Sequence, residues 1–323
     1  MNPLIGNSFA NSTADNRDAS PLPAADPHVG VAPAAGQTHA GSAKTTVSSD
    51  LARRISINQL TTLRNCLSSD LDEYRRHEIA AIGVHWRKLN YYGIRRSIRR
   101  IQQSRLAVSS LGWIGGFTGE HGHALPEVMC EAKRMIRVAS QIRAGVVTVV
   151  TGPQAGHIRS HAFRIVADAL KELTEFASIY DVRLAVQPMH SMFAKNWSFI
   201  HTLDDGLQLL DKVGNPRLQL SFGTYHLWEE PGLLQRIEEV APRIGLVSLA
   251  DWGEAPRHEN DRLLPGEGRL PLNDVIQSLE QHGFSGWYEL EVWSRDLWKL
   301  DHRDLMRRCV DARDRLSAQV CPC

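Results

Sequence analysis

The chain has 323 residues, 42% hydrophobic and 23% charged, with 37 basic and 36 acidic residues for a net charge of +1. That balance excludes a protein that holds nucleic acid through a general basic field. No run reaches the roughly 18 apolar residues of a membrane span, and the N-terminus lacks a charged start followed by an apolar stretch, so a cytoplasmic location is the expectation.

Residues 1–50 are rich in Ala, Ser, Pro, Gly, Asn and Asp and lack hydrophobic periodicity, which predicts a disordered low-complexity tail. From Arg53 the character changes. Ile55–Leu60 alternates as a strand, and Leu67–Ile79 has helical spacing with Ser68 or Ser69 as its cap. Ala80–Val84 is a second short strand. Ile94, Ile98 and Ile101 then share one helix face, opposite Arg95, Arg96, Arg99 and Arg100. Leu106–Leu111 is strand three, followed by a long helix over Pro126–Arg143. Gly145–Thr151 is strand four, followed by a helix over His161–Ala177.

The pattern then changes in kind. Val182–Gln187, Leu218–Phe222, Ile244–Leu249 and Trp287–Val292 read as buried strands that end abruptly in polar residues. Helices over Leu203–Val213, Pro231–Val240, Leu272–His282 and Asp301–Leu316 follow them. Eight strand–helix units in roughly 250 residues demand parallel strands and crossovers, and match the size of a (β/α)8 TIM barrel over 51–318, with 319–323 as a C-terminal tail. An open doubly wound sheet is the rival. No Gly-rich phosphate turn follows strand one, which weakens its dinucleotide-binding version. The five cysteines, Cys66, Cys130, Cys309, Cys321 and Cys323, form no CxxC pair and fit reduced thiols.

Barrel active sites sit at the C-terminal strand ends. There the chain carries Gln187, Pro188 and His190; Gly223, Thr224, Tyr225 and His226; Ser248, Ala250 and Asp251; and Glu291. Arg257 and His258 lie in the long loop after strand seven, where an arginine could grip an anionic group. Trp113 follows strand three as a candidate sugar wall. The stretch from Trp86 to Arg105 holds seven basic residues and no acid, which suits a solvated helix face or an acidic partner.

These segments together resemble the sugar phosphate isomerase/epimerase family of xylose isomerase-like TIM barrels: Ile55–Gln59, Leu184–His190 with Met192 and Phe193, Thr224–Trp228, Ala250–Trp252, Pro265–Gly268 and Tyr288–Val292. The resemblance implies a small sugar or sugar phosphate as ligand and proton transfer as the reaction. It also implies a divalent metal (Mn, Mg, Co or Zn) held by two glutamates, an aspartate and a histidine or glutamine. Nucleic-acid and membrane partners are not expected, and homo-oligomerisation is left open.

Carried over position by position, the ligands fall on Gln187, Gly223, Ser248 and Glu291, and only Glu291 keeps its type. The formal ligand charge falls from about −3 to −1, which should cost a hard dication orders of magnitude in affinity. Glu291, His190 and His226 are the candidate catalytic groups; Gln187, Asp251, Arg257, His258 and Trp113 are the candidate substrate contacts. His190, His226 and Asp251 could also join Glu291 in a relocated metal site. Two further readings stand beside the enzyme: a degenerate barrel that binds a sugar-like ligand or a protein without turnover, and an abasic-site endonuclease, for which charge and ligands are poor.

Overall fold

The structure, a computed structural model, describes residues 46–119, 122–254 and 258–319. Eight parallel strands close into a barrel in sequence order: β1 Ile55–Asn58, β2 Ala81–His85, β3 Ala107–Gly115, β4 Ala144–Val150, β5 Leu184–Val186, β6 Leu218–Gly223, β7 Ile244–Leu249 and β8 Trp287–Leu290. Ile55, Ser56 and Ile57 of β1 pair with Tyr288, Glu289 and Leu290 of β8, which completes the ring. The open-sheet rival is therefore excluded. Helices cross over between successive strands, and one continuous apolar core fills the space between helices and sheet.

Inside the barrel a polarity step runs along the axis. Val146, Ala185 and Leu246, with Trp287 against them, form a separate small apolar plug. Above it lie buried polar side chains, among them Ser56, Asn58, Ser110, Ser248 and Glu289. The period of two along a strand accounts for this arrangement. Trp287, Glu289 and Glu291 share one face of β8 and its extension, so each pleat toward the C-terminal end brings a more polar group into the interior.

Several boundaries differ from the sequence reading. The helix Thr46–Arg53 begins inside the segment expected to be tail. The helix Leu67–Arg76 is capped by Cys66, whose Sγ accepts the Ser69 amide at 3.5 Å, instead of by Ser68 or Ser69. The strand β3 runs nine residues and contains Trp113, while β5 shrinks to three, which leaves Gln187 just beyond it. Gly93, at φ +92°, divides the basic stretch into helices Trp86–Tyr92 and Ile94–Ser104. Ile98 and Ile101 are buried there as the spacing predicts. Among the described residues no helix is long and apolar enough to cross a membrane.

A buried ion pair fastens the first unit. Lys88 Nζ lies 2.9 Å from Asp70 Oδ2 and donates to the Thr62 carbonyl at 2.8 Å, while Gln59 Nε2 donates to the same carboxylate oxygen at 2.7 Å. The Gln59 Oε1 in turn accepts the His85 amide at 3.0 Å. The basic stretch thus contributes one internal cation, and burial pulls the Lys88 pKa down while Asp70 raises it. Removing one partner of such a pair strands the other charge away from water. Lys88→Met is expected to cost about 3–5 kcal/mol in urea unfolding, and the double variant with Asp70→Asn less than the sum of the two single changes.

Candidate active site

The site is assembled by β8 and by the loop that precedes its helix-side approach from β7. Glu291 follows β8, its amide bonded to the Leu249 carbonyl at 3.1 Å. Its Oε1 accepts the Trp293 indole N–H at 3.0 Å. One pleat below, Glu289 is held by Asn58 Nδ2 at 2.6 Å and by the hydroxyls of Ser109 and Ser110. Burial pushes the Glu289 pKa up to about 7 against those donors.

The β7–β8 loop is anchored by Asp251. Its backbone pairs with Leu263 in both directions, at 2.8 and 3.0 Å. Its carboxylate accepts the amides of Trp252 (2.8 Å), Gly266 (2.9 Å), Gly268 (3.0 Å) and Leu270 (3.0 Å). A Cβ on Gly268 would lie 2.3 Å from Asp251 Oδ1, so only glycine allows that approach. This clamp delivers Arg262, whose amide bonds to the Trp293 carbonyl at 3.1 Å.

Arg262 is 1% exposed. Its Nη1 donates to the Glu291 carbonyl at 3.2 Å and lies 3.7 Å from Glu291 Oε1. Its Nη2 donates to His226 Nε2 at 3.2 Å. The guanidinium rests 4.3 Å from the Trp293 ring centre and 4.8 Å from that of Tyr225. Burial lowers the Arg262 pKa, and Glu291 foremost among nearby groups raises it. Burial also drives the His226 pKa well below its usual value, with Arg262 and His190 adding to the effect, so His226 is neutral. The His190 amide approaches the other ring nitrogen, Nδ1, at 3.3 Å. A neutral imidazole has one acceptor nitrogen, and of the two competing donors the charged guanidinium is the stronger.

Trp293 also belongs to an aromatic wall. Trp113, Trp197 and Trp293 meet with ring centres 5.1–6.0 Å apart, His85 lies 5.4 Å from Trp113, and Phe193 joins Trp293 to His226. Burial, reinforced by Lys88 and Arg87, pulls the His85 pKa down to about 3.

The residues named from sequence are only partly gathered. Glu291 and His226 meet through Arg262, and Trp113 belongs to the aromatic wall. His190 pairs with Glu229 at 2.6 Å and stacks on Trp228. Together with His226, Ser191, His201, Glu229 and Arg236 it lines a cavity of about 410 Å³. Gln187 and Ser248 are buried at their strand ends, and Gln187 Nε2 and Ser248 Oγ have no protein partner among the described residues. The carboxylate of Asp251 is turned into its own loop. His258 accepts the Asn260 amide at 3.2 Å. Arg257 lies outside the described residues. Sequence reasoning missed Arg262, Glu289, Trp197 and Trp293. Of these only Glu289 left a signal, its spacing of two from Glu291.

The profile of the xylose isomerase-like TIM barrel family matches residues 71–312. The chain belongs to that family. Among similar proteins, an inosose isomerase of Halalkalibacterium halodurans is 21% identical over 269 residues, covering 80% of this chain and 94% of its own. A D-psicose 3-epimerase of Enterocloster bolteae is 25% identical over 118 residues, 36% of each chain. Solved structures agree in fold. A Sinorhizobium meliloti 1021 protein superposes with TM-score 0.77 at 23% identity, covering 82% of this chain and 98% of that one. The IOLI protein with a binding zinc atom gives TM-score 0.73 at 19% identity, with 83% and 99% covered.

This member of the xylose isomerase-like family does not fit a divalent metal at the strand ends. A Cβ on Gly223 would lie 3.0 Å from His226 Cδ2, so His226 would have to yield by a few tenths of an ångström before any side chain stood at that position. The one remaining carboxylate, Glu291, has the Arg262 charge beside it. Among the described residues no cluster of three or more His, Cys, Asp and Glu side chains could hold a metal ion. Asp251 is not free to join a relocated site, because four amides already surround its carboxylate.

His85 yields a prediction about pH. Its folded-state pKa is near 3, below the ordinary value of 6.5, so the unfolded chain binds the proton first as pH falls. The stability it contributes is full above about pH 6.5 and is lost toward pH 3, at about 1.4 kcal/mol per unit. His85→Phe keeps the ring against Trp113 and removes the titration. Between pH 7 and pH 4 the wild-type chain should lose about 3 kcal/mol more than His85→Phe, measured by urea unfolding at each pH.

Proposed function

We propose that the protein is a sugar isomerase/epimerase-like enzyme that moves a proton on a small polyhydroxy ketone or its aldose partner. The observation that carries this reading is the setting of Glu291. Its Oε1 is fixed by Trp293, no donor among the described residues reaches Oε2, and a buried guanidinium and a neutral imidazole stand next to it. Glu291 Oε2 takes the proton from the carbon beside the substrate carbonyl and returns it to the neighbouring carbon or to the opposite face. The tryptophan wall covers the C–H faces of the sugar. The unpartnered polar atoms of Gln187, Ser248, Trp197 and Asn260 read its hydroxyls, since a buried polar group without a partner costs about 1–3 kcal/mol until one arrives. Both curated relatives have names that denote polyhydroxy ketones, which supports that substrate class.

The substituted positions 187, 223 and 248 favour a second reading, a barrel that binds such a ligand without turnover. Proton exchange separates the two. A panel of inososes, ketoses and aldoses is incubated in deuterated water and followed by NMR. Turnover is expected to introduce deuterium next to a carbonyl, and Glu291→Gln to reduce the rate about 10²- to 10⁴-fold. A thermal shift with a panel sugar, with no exchange, would establish the binding barrel instead.

A further inference from the structure

We propose that the outer face between the helices Ile94–Ser104 and Leu125–Gln141 is a docking groove for an acidic amphipathic segment of a partner protein. The proposal does not rest on the isomerase/epimerase reading, because none of its residues stands at the strand-end site.

The basic stretch leads to it. Of the seven cations between Trp86 and Arg105, Lys88 is paired with Asp70 inside and Arg100 with Asp72. Arg95, Arg96 and Arg99 stay exposed on the first turns of the helix Ile94–Ser104. Across from them Arg134 and Arg137 are exposed on the helix Leu125–Gln141. The two rows enclose a cavity of about 840 Å³ whose apolar lining includes Ile94, Ile98 and Val138. Gln141 belongs both to this cavity and to a second one of about 590 Å³, at the N-terminal end of the barrel. There Arg105, Arg143 and the half-buried Trp287 are part of the wall. Arg95 and Arg105 are ten positions apart, about 15 Å of helix rise.

The charges do not cancel locally. Arg95, Arg99, Arg105 and Arg143 have no acidic partner among the described residues. Arg96 lies 5.5 Å over the Tyr92 ring, and Arg137 lies 5.0 Å over Phe176 with Nε donating to the Tyr180 hydroxyl at 3.3 Å. Glu131 is the acid that comes near. Its Oε1 accepts the Trp86 indole N–H at 2.6 Å, and its Oε2 lies 3.4 Å from Arg134. Asp72 is turned to Arg100 and Glu172 to Lys133. Across the two cavities seven guanidinium groups therefore face one carboxylate.

This arrangement works against the helix that carries it. Arg95 and Arg96, in the first turn, oppose the positive end of the helix dipole, and Arg95 and Arg99 repel each other at a spacing of four. A solvated face with no partner gains by interspersing acids among such arginines. The surplus suits an anionic occupant, and the apolar strip between the rows selects its kind. A single-stranded nucleic acid binds by stacking successive bases on aromatic rings along a basic groove. Here the exposed rings stand at the ends, with Tyr91 94% exposed at one and Trp287 at the other, and aliphatic side chains lie between. A segment with apolar residues along one stripe and Asp or Glu on both flanks matches a basic row, an apolar strip and a second basic row.

Fluorescence anisotropy on the full chain tests it. The probe is a labelled helical peptide of about 15 residues, with leucines at three- and four-residue spacing and glutamates on both flanks. Binding is expected at micromolar concentration in low salt, and to weaken about tenfold or more when the salt is raised tenfold. Arg99→Glu/Arg137→Glu is expected to weaken it about tenfold or more, and Arg99→Gln/Arg137→Gln about threefold or more. Arg164→Glu/Arg303→Glu, the same charge change on two other helices, is expected to stay within about twofold of the wild type. The peptide with glutamine in place of glutamate is expected not to bind. No binding of the acidic peptide at about 100 μM, or binding that survives both double changes at 99 and 137, overturns the proposal. A labelled oligothymidylate bound as tightly as the peptide overturns it in favour of nucleic acid. Concentration-dependent dimerisation of the chain that Arg99→Glu/Arg137→Glu abolishes overturns it in favour of a second copy.

Discussion

The architecture of the mouth follows from burying two carboxylates on one strand. Glu289 and Glu291 are two residues apart, so the pleat of β8 sends both into the barrel, where an uncompensated charge costs several kcal/mol. The lower one is met by neutral donors alone, Asn58, Ser109 and Ser110, and it keeps a proton up to about pH 7. The upper one is met by Arg262 and the Trp293 indole. Much else is fixed by these two solutions. Position 83 has no room for a side chain, because a Cβ there would lie 2.3 Å from Glu289 Oε2. The β7–β8 loop has to carry an arginine back over the barrel, and the clamp of Asp251 on Gly266 and Gly268 holds that loop in place.

Much of this was visible in the sequence, for identifiable reasons. Buried parallel strands are written as apolar runs, and eight of them alternating with helices leave few architectures open. Glu291 was legible because the family resemblance assigns its position. Glu289 was legible in principle from its spacing of two, although a polar residue inside a strand is more easily taken for a solvent-facing one. The boundaries were less secure: β3 continues through Gly112 to Gly115 where the spacing suggested an end at Leu111, because strand length is set by pairing with β4 and not by local composition.

Loop residues were the least legible. Arg262, Trp197 and Trp293 meet only in three dimensions, and nothing periodic marks them in the chain. Asp251 shows the converse error. An acid at a strand end invites a reading as a substrate ligand, yet the glycines fifteen and seventeen residues later supply amides that claim its oxygens. Within the Pro265–Gly268 segment the Gly266 and Gly268 backbone N–H groups fold around this internal carboxylate in the manner of an anion nest.

An arginine and a dication are not equivalent solutions to the same electrostatic problem. A metal among three anionic ligands concentrates two charges at a point and leaves the site negative. A guanidinium beside a carboxylate spreads a single charge over a planar fork. The polarising power at any one oxygen is lower, and the compensation comes from the surroundings. Trp113, Trp197 and Trp293 line the wall, Tyr225 and Phe193 pack on the guanidinium, and in so dry a setting a fixed N–H donor is worth far more than in water. With fewer charges at the centre, the site depends on excluding water so that the remaining pair stays strong.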